Sequence, residues 1–191
     1  MVRTFRSPGR VALSMALFGL VAVAPALVAR GEDPKTDKAP ITAREAFARL
    51  KSLAGTWKNE ASHGNDHAAA SESKVTYRLT GAGSALVETD FPGSNHEMIS
   101  VYHLDKEDLR LTHYCAAGNQ PRMKLDRAAS TPKRLVFAFD GGSNLDPAKD
   151  MHIHGLTMEF HEGGNVECAW DAYAGGKKVE TAHFKLSREK E

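Results

Sequence analysis

Residues Asn165 to Ser187 read NVECAWDAYAGGKKVETAHFKLS, and this stretch decides the fold class. An apolar residue stands at every second position on each side of a Gly-Gly pair: Val166, Cys168, Trp170 and Ala172 before it, and Ala182, Phe184 and Leu186 after it. A period of two is typical of a strand that buries one face. Glycine supplies the positive φ angles that tight antiparallel turns need. The stretch therefore predicts a β-hairpin.

The same kind of pattern continues through most of the chain. Short segments rich in β-branched or aromatic residues are separated by Gly, Asn, Asp or Pro, which is typical of an antiparallel sandwich or barrel. The predicted strands are Gly55–Ala61, Lys74–Thr80, Ser84–Asp90, Met98–Leu104, Asp108–Ala116, Arg122–Asp126, Arg134–Asp140, Met151–His161, Asn165–Ala174 and Lys178–Ser187. The prediction is an all-β protein.

One segment has helical rather than strand spacing. Apolar residues stand at Ala43, Ala46, Phe47, Leu50 and Leu53. Thr42 can cap the amide of Glu45, and Gly55 follows the pattern directly. We therefore predict one short N-terminal helix ahead of the strands.

The first thirty residues have the pattern of a secretory signal peptide. Arginines precede an apolar run, Val11 to Val28, and residues 1–30 contain no acidic residue. Small residues allow cleavage after Ala26 or after Ala29. The run approaches the ~20 residues that span a bilayer, which leaves an uncleaved anchor as the alternative. We expect residues 1–30 to be removed and the protein to be exported, to the periplasm or the extracellular space.

Cleavage would change the charge of the protein. It would take away four of the 25 basic residues and none of the 24 acidic ones, so the formal net charge would change from +1 to −3. A slightly acidic chain without a Lys/Arg cluster does not attract nucleic acid or anionic lipid. We expect no nucleic-acid partner and no stable membrane insertion after cleavage. Residues 31–41 predict a disordered leader, and residues 42–191 a single domain.

The chain has two cysteines, Cys115 and Cys168. They belong to strands that are four apart in order, so in a simple meander their Cα atoms would exceed the ~7 Å limit for a disulfide. We favour two free thiols over one bridge.

Three segments resemble a known group of proteins. The helix that leads into Leu53-Ala-Gly55-Thr-Trp57 and the C-terminal strand that ends at Arg188 resemble bacterial lipocalin-like domains of unknown function. The Gly-x-Trp motif is shared with lipocalins and nitrobindin-like proteins. The string Leu111-Thr-His-Tyr-Cys-Ala-Ala-Gly-Asn-Gln-Pro-Arg-Met123 resembles a subgroup of exported proteins. The resemblance covers nearly all of residues 42–190.

The resemblance has three implications. It implies an antiparallel up-and-down barrel of about 8–10 strands. It also implies that Trp57 packs at one end of the barrel, with Arg188 stacked over it. Because nitrobindin-like barrels bind haem through a histidine of a late strand, it makes His183 a candidate haem ligand.

His152-Ile-His154 is the sharpest chemical signal in the sequence. Alternate residues of a strand share a face, so two imidazoles there could begin a metal site. With Glu159, the spacing matches the first half of a cupin motif that holds Fe, Mn or Zn. The second half is missing, and a solvated strand face explains the same residues.

A second polar cluster lies on neighbouring predicted strands. If the turn Asp105–Asp108 sets the register, His103 lies close to Leu111 or His113, and Tyr102, His113 and Arg122 supply polar contacts inside a barrel or at its mouth. A buried histidine hydrogen-bonded within the core is the alternative.

Three functions follow from these patterns. The first is an exported barrel that binds a small, largely apolar ligand, with Tyr102, His103, His113 and Arg122 as contacts. The second is a cupin-like metal-dependent enzyme that uses His152, His154 and Glu159. The third is a structural or interaction domain of the cell envelope. No phosphate loop or Gly-x-Ser-x-Gly motif is present, so we favour the binding protein over an enzyme.

Overall fold

Ten antiparallel strands form a closed barrel in residues 40–60 and 74–189, which are the residues that the computed structural model describes. The elements are α1 (Ala43–Lys51), β1 (Gly55–Asn59), β2 (Lys74–Thr80), β3 (Ala85–Asp90), β4 (Met98–Asp105), β5 (Asp108–Tyr114), β6 (Gln120–Leu125), β7 (Arg134–Ser143), β8 (His152–Phe160), β9 (Val166–Ala174) and β10 (Lys177–Arg188). Each strand pairs with its neighbours in sequence, and β1 pairs with β10 to close the sheet. The predicted all-β, up-and-down antiparallel barrel with one short N-terminal helix is confirmed.

The predicted strands agree closely with the observed ones. Their ends differ by at most three residues, the largest difference being at the end of β7. The predicted end of the first strand, Ala61, lies outside the described residues, as do the expected signal peptide and most of the expected leader. Ile41, the last residue of that leader, is buried in the core. Within the described ranges, no helix has the length and apolarity that a membrane crossing requires.

Helix α1 begins as its sequence predicts. Thr42 accepts a hydrogen bond from the Glu45 amide at 3.2 Å, and the Glu45 carboxylate accepts one from the Thr42 amide at 3.0 Å. This capping box satisfies two amides that a helix N-terminus otherwise leaves without a partner. The buried face of the helix, which includes Phe47 and Leu50, therefore starts at a fixed point of the chain.

The cap makes a testable contribution to stability. Thr42→Ala should lower the free energy of unfolding by about 1 kcal/mol because it removes the cap acceptor. Thr42→Ser keeps a hydroxyl at the same place and should stay close to the wild type. Urea unfolding followed by circular dichroism would measure both variants, and equal losses in the two would contradict the role of the hydroxyl.

The helix covers one end of the barrel, here called the lower end. It packs on β4 and β5 near their connecting turn, where Arg44 lies 4.0 Å from Glu107. Because successive strands run in opposite directions, the β2–β3, β6–β7 and β8–β9 turns lie at this end as well. Apolar side chains fill the interior here, among them Leu50, Leu109, Leu135 and Phe160.

The Gly-x-Trp motif lies where β1 leaves the helix. Trp57 is buried, its indole N–H donates to the Leu53 carbonyl at 2.7 Å, and the Arg188 guanidinium lies 4.5 Å from the centre of its ring. Gly55 has a φ of +130°, and a Cβ there would come 2.7 Å from Arg188 Nη1. The positive φ favours glycine at this point, and the guanidinium occupies the space that a Cβ would take. The stacking of Arg188 on Trp57 is as the resemblance implied.

Candidate functional site

A row of polar side chains crosses four neighbouring strands inside the barrel. Tyr77 of β2, Glu88 of β3, Ser100 of β4 and His113 of β5 are direct cross-strand neighbours. All four are buried. We call these four residues the polar belt. Two positions away on the same inner face lie Asp90, toward the upper end of the barrel, and Tyr102, toward the lower end.

Glu88 is the centre of the hydrogen bonds in the polar belt. The Tyr77 hydroxyl donates to its Oε1 at 2.8 Å, and the Tyr102 hydroxyl donates to its Oε2. Burial raises the pKa of Glu88 from 4.5 to about 7, and the two phenol hydrogen bonds limit that rise. Among the described residues, no lysine or arginine pairs with this carboxylate. Its charge is stabilised by dipoles alone.

Asp90 is the second carboxyl group on the inner face of β3. It is 1 % exposed, and its Oδ1 accepts no hydrogen bond within the described part of the chain. Burial, and then the negative charge of Glu88, raise the pKa of Asp90 well above its usual value. Two buried carboxyl groups at adjacent positions disfavour double ionisation, so Asp90 holds a proton at a pH where an exposed aspartate has lost it.

His113 ends the polar belt with a free ring nitrogen. Its Nδ1 lies 2.9 Å from Ser100 Oγ, whereas Nε2 is buried and has no partner among the described residues. Burial lowers the pKa of His113 to about 4, so the imidazole is neutral at pH 7. Serine next to a neutral histidine supplies two members of a hydrolytic triad, but such a triad needs a carboxylate on the other ring nitrogen. The geometry favours hydrogen bonding over nucleophilic chemistry.

The opposite wall is formed by β9. The Trp170 ring centre lies 5.3 Å from that of His113, so the two walls meet across the interior at this level. Cys168, two residues earlier, is buried and free, and burial together with Glu88 and Asp90 raises the pKa of its thiol. A protonated thiol is a poor nucleophile. Cys115 is also free, as the strand order predicted.

Three half-buried apolar residues lie on the inner face at or above the level of the polar belt. Met98, Ile153 and Ala182 face inward because they pair with the inward residues Asp90, Ala172 and Trp170. Ile153 and Ala182 pack against the hydrophobic core. In this part of the interior, Asp90 Oδ1 and His113 Nε2 are buried and have no hydrogen-bond partner among the described residues.

The structure divides the four predicted ligand contacts into two pairs. Tyr102 and His113 are buried on the inner face, whereas His103 and Arg122 lie on the outer face. The expected neighbours of His103 were wrong, since it pairs with Arg110, and His113 pairs with Ser100. The reason is the two-residue turn between Asp105 and Asp108, with Lys106 at a φ of 56°. Because sheet faces alternate, this register puts His103 outside.

His152 and His154 bind each other. His152 Nδ1 lies 2.9 Å from the Asp150 carbonyl, which can only accept, so this nitrogen carries the proton and Nε2 accepts from His154 Nδ1 at 2.9 Å. The His154 ring is stacked between Phe139 and Tyr173 at 4.4 and 3.9 Å. Burial, and then the neighbouring His152, lower the pKa of His154. The pair is an aromatic cluster closed by internal hydrogen bonds.

The third predicted metal ligand lies apart from this pair. Glu159 is on the outer face of β8, with a carboxylate oxygen 3.8 Å from Arg134 Nε. In the described ranges, no group of three or more His, Cys, Asp or Glu side chains is arranged to hold a metal ion. His183, the candidate haem ligand, is exposed on the outer face of β10, next to the inward Phe184.

Four residues of the barrel interior, Tyr77, Glu88, Asp90 and Ser100, were not among the predicted site residues. The sequence did hold a signal, since Leu86, Glu88 and Asp90 alternate and must share a face. Counting outward from the four-residue connection 81–84, which joins Thr80 to Ala85, places Tyr77 opposite Glu88. Neither the models of known protein families nor the curated proteins match this chain. Its function is therefore argued from the geometry of the barrel interior.

Proposed function

We propose that this protein is an exported barrel that binds a small molecule in the upper half of its interior. The observation that carries the proposal is a pair of buried atoms that have no hydrogen-bond partner among the described residues, Asp90 Oδ1 and His113 Nε2. A buried polar atom without a hydrogen bond costs about 1–3 kcal/mol. A ligand that supplies the missing partners would recover this free energy.

The surroundings suggest the shape of such a ligand. Met98, Ile153 and Ala182, which lie on the inner face at or above the level of the polar belt, are apolar and half-buried. Concave sites that combine apolar walls with a few polar groups bind small molecules whose polar head is fixed and whose body is buried. The ligand should therefore have an apolar body, as the sequence predicted, and also a polar head that reaches the belt.

Two measurements on the exported, processed protein test the proposal. Native mass spectrometry of freshly purified protein should show a bound small molecule, and the neutral fluorophore 1-aminoanthracene should bind saturably at one site. His113→Phe fills the space beside Trp170 and removes the free nitrogen, so both signals should fall at least tenfold. The same mass spectrum would show whether the mature chain starts after Ala26 or after Ala29.

His103→Phe is the matched control, because His103 faces outward from the neighbouring strand. It should leave both signals unchanged. The proposal would be overturned if the wild-type protein showed only the mass of the unliganded chain and did not bind the dye saturably. Equal losses in His113→Phe and His103→Phe would place the dye outside the interior and would also overturn it.

A further inference from the structure

We propose that the ligand of this interior site carries a positively charged nitrogen, an ammonium group on an organic body, and that this group lies between Glu88 and Asp90. The inference rests on the proposed function and adds the chemical class of the ligand.

The described part of the barrel interior contains two buried acidic side chains and no buried lysine or arginine. Glu88 and Asp90 are each 1 % exposed, and among the described residues no lysine or arginine is buried. A buried carboxylate without a counter-charge is costly, and a protein commonly reduces that cost by keeping the group protonated. The raised pKa of both carboxyl groups agrees with this. A bound cation would supply the charge that the interior lacks.

The hydrogen-bonding groups around Glu88 and Asp90 also favour a cation. Both phenol groups near Glu88 already donate to it. Each carboxylate oxygen can accept two hydrogen bonds, so Glu88 keeps acceptor capacity, and Asp90 Oδ1 has no donor within the described residues. An ammonium group has three donors and no acceptor. A carboxylate or phosphate head would bring more acceptors and a like charge to the same place.

The surroundings of the two carboxyl groups favour an organic cation over a metal ion. No group of three potential ligands in the described part of the chain can hold a metal. The Trp170 ring lies against His113 in the same interior, and aromatic faces attract cations. Met98, Ile153 and Ala182 are apolar, which suits the carbon skeleton of an amine. A bare inorganic ion has no carbon skeleton to bury against these residues.

A matched series of probes tests the charge of the ligand. Hexylamine, hexanol and hexanoate share one apolar chain and differ in their head groups. Isothermal titration of the processed protein at pH 8 should give an affinity for hexylamine at least tenfold above that for hexanol, with no binding of hexanoate. At pH 5 the preference should shrink, because protons then compete for Glu88 and Asp90. The other groups that face them are Tyr77, Tyr102, His113 and Cys168.

Variants then assign the preference to the two carboxyl groups. Glu88→Gln and Asp90→Asn should each reduce the affinity for hexylamine at least tenfold and leave that for hexanol nearly unchanged. Glu167→Gln removes a carboxylate from the outer face of β9 and should change neither affinity. Circular dichroism shows whether each variant is folded. Asp90→Asn removes no hydrogen bond between described side chains. This variant alone can therefore test the inference if Glu88→Gln does not fold.

The outcomes distinguish the inference from the proposed function. Binding of hexanol or hexanoate as tight as that of hexylamine overturns the ammonium inference and leaves a binding barrel. A preference for hexylamine that survives both Glu88→Gln and Asp90→Asn also overturns it. If no probe of the series binds at millimolar concentration and 1-aminoanthracene does not bind, the proposed function itself is wrong.

Discussion

Glu88→Gln should change how the free energy of unfolding depends on pH. Between pH 4.5 and 7, this free energy should rise in the variant by roughly 3 kcal/mol relative to the wild type. The pKa of Glu88 is about 7 in the folded protein and 4.5 in an unfolded chain. Over that interval the folded state holds a proton that the unfolded state has lost. Wild-type stability therefore falls as the pH rises through the interval, and the variant lacks this loss.

His113→Gln should have the opposite effect. The pKa of His113 is about 4 in the folded protein and 6.5 in an unfolded chain. Between these values the unfolded state binds a proton that the folded state does not, so His113 makes stability rise with pH. Without this imidazole, the free energy of unfolding should gain less between pH 4 and 6.5 than it does in the wild type. The difference should be roughly 3 kcal/mol.

Urea unfolding at half-unit pH steps would measure both effects, since each is a difference between slopes and does not depend on total stability. The raised pKa of Asp90 adds to the fall that Glu88 causes, whereas His113 opposes this fall up to pH 6.5, so the decline of wild-type stability should be clearest between pH 6.5 and about 7. Glu167→Gln, on the outer face, is the control and should follow the wild type. Parallel curves for Glu88→Gln, His113→Gln and the wild type would show that these groups titrate as exposed ones.

The second large effect is expected at the lower end of the barrel. Trp57→Ala should lower the free energy of unfolding by about 3–5 kcal/mol, because the indole is 2 % exposed and the variant leaves a cavity under Arg188. The Leu53 carbonyl also loses its donor. Thermal or urea unfolding would measure the loss.

Trp57→Phe separates the ring from its N–H group. It keeps most of the packing under the guanidinium and should lose clearly less stability than Trp57→Ala. Val179→Ala, at a side chain that is 60 % exposed, should change stability by less than ~0.5 kcal/mol. A cost for Trp57→Ala no larger than that for Val179→Ala would show that the motif does not hold the barrel end together.

The strands could be predicted from the sequence because their signals are local. Gly175 and Gly176 mark a turn, Thr42 and Glu45 mark a helix start, and β-branched residues fill the segments between turns. These signals act over a few residues and do not depend on the rest of the fold. They place every strand to within three residues.

The polar belt could not be predicted in the same way, because it depends on register between strands. A carboxylate on a strand is by default exposed, since burial without a partner is costly. Only the phenols of Tyr77 and Tyr102, on the two strands beside β3, make a buried Glu88 tolerable. Tyr102 and His113 were found because the short Asp105–Asp108 turn suggested that their strands pair.

The arrangement of His152 and His154 also could not be predicted from the sequence. A regular strand would present His152 and His154 in parallel, as two ligands of one ion. The register shifts between Ile153 and Gly155, which is a β-bulge. The two rings hydrogen-bond each other and pack on Phe139 and Tyr173 instead. A bulge of one residue has no strong sequence signature, so the spacing of the two histidines did not predict that their rings contact each other.

The closure of the barrel through β1 and β10 has a consequence for the order of folding. Trp57 pairs with Arg188, so the seam joins residues that lie at opposite ends of the domain. Contacts between such distant residues form slowly, because a long loop must close first. The seam also needs the last strand, which leaves the ribosome after all the others. The barrel therefore stays open until β10 has been synthesised, whereas the hairpins between neighbouring strands can form earlier.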